Sequence, residues 1–454
     1  MPGSRTVAVL FAAAASVRGA EGGSRAWADG MVVVGGSPHA IGRASADEVG
    51  DDGGGALLVD PAALARRDVA RAQIGIGSLD DAVTWRPDAA TAPVAKGQLG
   101  SVTMPTVAVQ VPVGDWILGA AAMTAAISDR SLTRPQVPPA SYGTQFQFRY
   151  AGLGGSVRRD TLTIGAARRL GDEIAVGFAV GASRVVVAET RDVWAGFAGI
   201  HPPGDPRDDL TIALAGEDRF VPSAVGGMIL APNDTSLELA VSVGWSGRAH
   251  LEGDVATSEV TGGPKAMVTT PTARLDLAQP WTIRTGARYA GERWIAEVDG
   301  DLWVFPSLAY DNTWAVTGLA VTSGSRTAPI PHVASRLAPR THGAVRGALD
   351  VAVIPGFLWL TGGYAYTTRG TSEARLSPTF ADLGGHTVAL GLEANAGNFT
   401  ITLGASRTWA MALRPSASAY SLDNPFAAGD ASVPVGTYDG TLSQVGILLD
   451  AELK

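Results

Sequence analysis

Apolar and polar residues alternate through much of this chain. In residues 237–245, Leu237, Leu239, Val241, Val243 and Trp245 share one face, and Glu238, Ala240, Ser242 and Gly244 the other. This is the period of two that a β-strand imposes. Residues 293–305 repeat it, with Trp294, Ala296, Val298, Leu302 and Val304 opposite Glu297, Asp299 and Asp301. Val388, Leu390 and Leu392, then Val445, Ile447, Leu449 and Leu453, mark two further strands. Beyond the N-terminus no run reaches 18 apolar residues, so no helical membrane span is predicted. A face of small and charged residues fits either the wet outside of a soluble sandwich or the wet inside of a membrane barrel.

The connections separate these two architectures. Tight turns are predicted at 112–116, 170–173, 231–236, 290–293, 354–357 and 395–398. Long Pro- and Gly-rich links are predicted at about 129–158, 190–208, 251–272, 306–341, 370–384 and 412–439. Short turns alternating with long loops are the pattern of an outer-membrane barrel, whereas a sandwich leaves that asymmetry unexplained. Six hairpins, a first strand near 69–78 and a last near 440–453 predict an all-β, transmembrane antiparallel barrel of about 14 strands. Closure follows because every backbone amide in hydrocarbon needs a partner. The inward faces are expected to carry Glu238, Arg284, Arg288, Glu297, Asp299, Asp301, Arg346, Asp350, Glu393 and Asp450. Trp116, Trp245, Trp281, Tyr289, Trp294, Trp303 and Tyr366 lie near strand ends, as interfacial aromatic girdles do.

Residues 1–28 read as a secretory signal peptide: Arg5, an apolar core from about Val7 to Val17, and small residues Ala26 and Ala28 before a cleavage site. Cleavage after Ser16 or Gly19, or a buried N-terminal strand, are the alternatives. Composition agrees with many strands and turns, since glycine numbers 57 and charged residues are 17% of the chain. The absence of cysteine removes disulfides, thiolate catalysis and Cys-ligated metals. A net charge of −8 with scattered Lys and Arg argues against a nucleic-acid partner.

The run from Gly30 to Ala44, followed by Asp60, has the outline of a dinucleotide-binding turn. The intervening residues 45–55 carry four glycines and three aspartates, which oppose the helix such a unit requires. The Tyr-x-x-x-Lys pair of short-chain dehydrogenases is also missing.

The order of motifs resembles the FadL/TodX-type outer-membrane transporters. Gly42, Arg43 and Ala44, an acidic and small-residue stretch, then Asp60, Pro61, Ala62, Leu64 and Ala65 follow the order of that family's N-terminal hatch. Residues 161–183, 237–255, 279–305, 358–369 and 376–394 are similar to successive barrel motifs. Two positions depart from the family: Asp60 stands where Asn is usual, which makes hatch packing different or acid-sensitive, and the chain ends in "AELK" rather than an aromatic residue.

The resemblance implies a hatch over residues 29–68 inside a barrel over 69–454, in the outer membrane of a Gram-negative bacterium, as a monomer in contact with outer-membrane lipid. It implies transport of hydrophobic small molecules, such as long-chain fatty acids, caught by outer loops and released laterally through the wall. The small residues Gly119, Ala120 and Ala121 are the candidate lateral gap, with a kink at Gly119. Trp194, Phe197 and Phe426 are candidates for ligand capture, and Arg284 and Arg288 for an acidic head group, although wall salt bridges and loop packing are alternative uses. A barrel that binds or braces without transporting is the competing reading. None of the six histidines begins a His-x-Ser strand or has metal spacing, so no enzyme, cofactor or metal is expected.

Overall fold

The computed structural model describes residues 37–51, 53–87, 95–98, 101–132, 149–197, 200–202, 204–232, 235–259, 262–306, 312–371, 373, 376–415, 424–426 and 436–453. The signal-peptide prediction and the chain's last residue lie outside them. Fourteen antiparallel strands make the wall. They are β1 (Ala70–Pro87), β2 (Ser101–Val113), β3 (Trp116–Leu132), β4 (Gly154–Leu170), β5 (Ile174–Trp194) and β6 (Asp209–Leu230). Next come β7 (Leu237–Ser246, resuming as Ala249–Glu259) and β8 (Lys265–Leu277, resuming as Trp281–Ala290). The remainder are β9 (Trp294–Val304), β10 (His342–Ile354), β11 (Leu358–Thr367), β12 (Gly385–Ala396), β13 (Phe399–Ala410) and β14 (Gly436–Leu453). β1 pairs with β14 from Ala70↔Leu453 to Pro87↔Gly436, which closes the barrel.

All six short turns fall where the sequence places them. Gly114, Gly171, Gly356 and Gly397 adopt positive φ there, a conformation glycine enters without a Cβ clash. The long links differ more. The first strand runs to Pro87 rather than 78, residues 251–272 are mostly strand, and 306–341 contains a hairpin built from Thr313–Ser323 and Arg326–Pro329.

The reason is a reversal of the alternation partway up the wall. At the short-turn end, apolar side chains point outward on every strand; Ile74, Val109, Leu118, Ile164, Phe178 and Met228 are exposed, as are Val243, Ile283, Leu302, Val351, Leu360, Leu390, Ile401 and Ile447. Higher up, β3, β6, β7 and β8 each change phase. The irregularities lie between Thr124 and Ala126, opposite Ser183/Val185 on β5, at 247–248, and at 278–280. One extra residue moves every later side chain to the other face. Above these points His250, Glu252, Arg274 and Asp276 are exposed, while Leu210, Ile212, Leu251, Leu275, Leu277 and Trp314 are buried in an inner apolar core. Polar-outward strands of this kind look like loops when only the membrane phase is sought.

Residues 37–67 occupy the lumen as a plug. Ser37 precedes a short helix, Pro38–Gly42, and two 3-10 turns, Gly54–Leu57 and Pro61–Arg66, follow. On one side Leu57, Ala62 and Leu64 pack against small inward residues of the wall, including Ala108, Ala121 and Ala179. On the other, the plug's charged groups meet the inner faces of β9 and β10. Gly42 approaches β12 and β13 so closely that a Cβ on Gly404 would lie 2.7 Å from the Gly42 nitrogen. Gly404→Val should therefore lower the urea stability of the folded barrel in micelles by about 1–3 kcal/mol, the usual cost of overpacking. Gly362→Val, with no neighbour within 4 Å, should leave it unchanged.

Candidate functional site

The plug is fastened by ion pairs to β9 and β10 and by a hydrogen bond to β8. Arg43 donates from Nη2 to Glu297 Oε2 at 2.6 Å, pairs with Asp350, and returns its Nε to Ala46 O at 2.8 Å. The second oxygen of Glu297 accepts the backbone N–H groups of Val49 (2.7 Å) and Gly50 (2.9 Å), and Asp299 accepts that of Glu48 at 3.1 Å. Ala44 O accepts from Arg346, which also donates to Asp301 at 2.6 Å. Gly42, Arg43 and Ala44 thus lie together at this contact.

Asp60, Pro61 and Ala62 form a second seat. Asp60 Oδ1 caps the Pro61–Arg66 turn by accepting from Ala62 N at 2.9 Å, while its Oδ2 is buried without a partner. Burial pushes this carboxyl up to about 7, outweighing the Ala62 hydrogen bond and Arg284. An aspartate raised in this way is least costly to bury at low pH, and its penalty grows as pH climbs from about 4 through 7. The acid sensitivity expected from sequence has the opposite sign in the structure.

Arg284 and Arg288 are both engaged. Arg284 donates to Leu58 O at 2.8 Å, and Arg288 donates to Glu238 at 2.6 Å, a carboxylate that also pairs with Arg66. These are plug and wall contacts, the alternative use weighed from sequence.

Gly119, Ala120 and Ala121 sit in an unbroken part of the wall. Gly119 is in register with Gln110 on β2 and Gly165 on β4, and Leu57 and Leu64 of the plug lie against it. The small residues there accommodate the plug. The interruption is higher: β2–β3 pairing ends at Thr106↔Met123 and resumes only at Gln98↔Ser131 through the short Ala95–Gln98 strand. Pro105, with no N–H to donate, stands where the ladder stops. Across this interval Met123 to Ser128 shows no exposed residue, while β3 stays paired with β4. Its upper end is tied to β1 by the buried Arg130–Asp81 pair at 2.6 Å.

Behind the interruption lies a cavity of about 110 Å³. Ala125, Ala126, Leu58, Val59 and Trp303 line it, together with Arg159 and Arg284. Arg159 faces Ala126 in register and donates to Ser183 Oγ (2.8 Å) and Ser246 Oγ (3.0 Å). Among the described residues no carboxylate is within ion-pair distance of it. This position follows the predicted link 129–158, and sequence alone gave it no role. Extending the alternation of Leu162 and Ile164 back to position 159 would have pointed it inward.

Two of the three capture candidates meet. Phe197 and Phe426 have ring centroids 4.6 Å apart, Arg326 lies 5.0 Å from the Phe197 ring, and Asn424 bonds Gly196 O at 3.1 Å. Both rings are half-buried in this loop pair. Trp194 is 3% exposed and belongs to the inner core instead. Trp303, expected in the girdle, is 4% exposed and stacks on His342 at 4.8 Å, because it shares the inward face with Asp299 and Asp301.

Arg43→Leu should leave Glu297 and Asp350 without their shared cation, a loss of about 3–5 kcal/mol for a buried pair. Alkylation of an Ala46→Cys probe in the otherwise cysteine-free chain should accelerate at least a hundredfold, by the same conversion, with the barrel still folded.

No profile of a known protein family matches the chain, and no curated protein matches it. Solved structures do. A FadL homologue of Pseudomonas aeruginosa is 14% identical over 95% of this chain and 100% of its own, with a TM-score of 0.71. The Pseudomonas putida toluene transporter TodX is 13% identical over 94% and 100%, with a TM-score of 0.66. The Ralstonia pickettii toluene transporter TbuX is 12% identical over 93% and 99%, with a TM-score of 0.61. With its closed fourteen-stranded wall and occupied lumen, the chain has the fold of these FadL- and TodX-type barrels.

Proposed function

We propose that this protein is a monomeric transporter in the outer membrane of a Gram-negative bacterium, moving hydrophobic small molecules that carry a single carboxylate, long-chain fatty acids being the fitting class. Residues 29–68 act as the hatch. The Phe197–Phe426 pair receives the ligand at the long-loop end, and the cavity behind β3, about 110 Å³, takes its carboxylate end.

The interruption between β2 and β3 carries this reading, because it is a break in the wall lying directly against the cavity. An apolar chain regains lipid there at about 25 cal/mol per Å² of surface withdrawn from water, and gains nothing by continuing into an aqueous phase. Arg159 supplies the head-group contact, since a guanidinium held by two hydroxyls keeps donors for a carboxylate fork. The toluene transport named for two similar structures supports an apolar ligand, and Arg159 favours an acidic one.

Oleate and toluene uptake, in a Gram-negative strain lacking its own transporters, tests both parts. Arg159→Gln should weaken oleate uptake about 10- to 150-fold, the value of a charged hydrogen bond, and leave toluene uptake unaffected. Ala125→Trp, which fills the opening, should suppress both. Full uptake by a folded Ala125→Trp barrel would exclude the lateral route. A folded wild-type barrel without uptake of either compound would favour the non-transporting binding or structural reading.

A further inference from the structure

The plug's contact with the wall holds far more acid than base. From the plug itself come Asp47, Glu48, Asp51 and Asp60, with Arg43 as their cation. β9 contributes Glu297, Asp299 and Asp301, and β10 contributes Asp350 with Arg346. β8 adds Arg284, and β7 offers the hydroxyl of Ser242, whose proton goes to Val59 O. Lower down, Glu238 is already shared by Arg66 and Arg288. Three guanidiniums therefore face eight carboxyls, all but Asp301 buried.

The arrangement of atoms is more telling than the count. Glu48 is 2% exposed and neither of its oxygens has a hydrogen-bond partner; Asp47 Oδ2, Asp60 Oδ2 and Asp299 Oδ1 are likewise buried and unpartnered. Meanwhile the backbone N–H groups of residues 48–50 bond the wall carboxylates, so the turn that docks the plug brings Asp47 and Glu48 into an already anionic surface. Among the described residues no group of acids has the placement of a metal site that would offset this charge. Unpaired ionised carboxylates are too costly to bury, and such groups keep a proton instead.

We propose that the plug is a proton-held latch: Asp47 and Glu48 dock as neutral acids, and the plug leaves the wall when they give up their protons to water. Burial, with Asp51 and Glu297 adding to it at Asp47 and Asp60 adding to it at Glu48, raises both carboxyls well above their usual range. Docking consequently takes up protons, so it is favoured in acid and weakens as pH rises. Two retained protons weaken it up to about a hundredfold per pH unit. The latch rests on residues 37–67 being a movable hatch, but its test measures no uptake, so a failure here is separable from a failure of the transport reading.

The absence of native cysteine gives a direct probe. A nitroxide on Ser45→Cys, in the purified full-length protein in micelles, should be immobilised at pH 5 and become mobile by pH 9. The mobile-to-docked ratio should rise more than tenfold per unit in the steep region. Asp47→Asn combined with Glu48→Gln should stay immobilised throughout, with the heat-modifiable folded band unchanged in every sample. A flat wild-type profile, an identical profile in the double variant, or a double variant already mobile at pH 5 would each overturn the latch.

Discussion

Hydrocarbon offers nothing to an unpaired amide, and the molecule is organised around that constraint. It forces the wall to close, and β1 and β14 meet along the whole of both strands. It also makes any break in the ladder conspicuous. Beside β2, the upper half of β3 has lost its strand partner over several residues, with Pro105 at the break and the Arg130–Asp81 pair above it. The small cavity and Arg159 are found behind this break, and the cavity also touches a second one, where β6–β7 pairing stops at Ser223↔Ser246 and resumes at Glu217↔Glu252.

The lumen solves a second problem, the seating of a polar segment inside a barrel. Its solution is asymmetric. Toward β2–β6 the plug presents Leu57, Ala62 and Leu64 to a lining of alanine and glycine, a contact made by shape. Toward β8–β10 it presents Arg43 and a turn of backbone N–H groups to carboxylates, a contact made by charge. Shape-based contact responds little to solution conditions, whereas the charged one depends on protons and on the exactness of a few hydrogen bonds. The charged side is therefore the one more sensitive to its surroundings.

Much of the wall was legible because period two and turn glycines are local signals. The six short turns, the outward apolar faces and the inward acids Glu297, Asp299 and Asp350 followed from them directly. What alternation could not convey was its own reversal. Residues 251–272 read as a long link, yet the sheet continues through most of them with polar residues outward, beyond the irregularities at 247–248 and 278–280. Arg159 was hidden for a related reason, lying just beyond the part of β4 whose apolar residues announce a strand. Gly119 misled in the other direction: a small residue in a wall suggests a gap, but its neighbour across the lumen was the plug, a contact made over more than fifty residues of sequence.

The reversal of phase on β6, β7 and β8 fixes more than a pattern. Sliding this side of the barrel outward would carry Trp245 and Trp281 from the interface into water, and sliding it inward would carry His250 and Asp276 into hydrocarbon. That flank is thus pinned at one depth, like a hull with its waterline painted on. Strands β11 to β13 show no such change of phase, so a thicker or thinner bilayer is accommodated there, by tilting the barrel about the pinned flank.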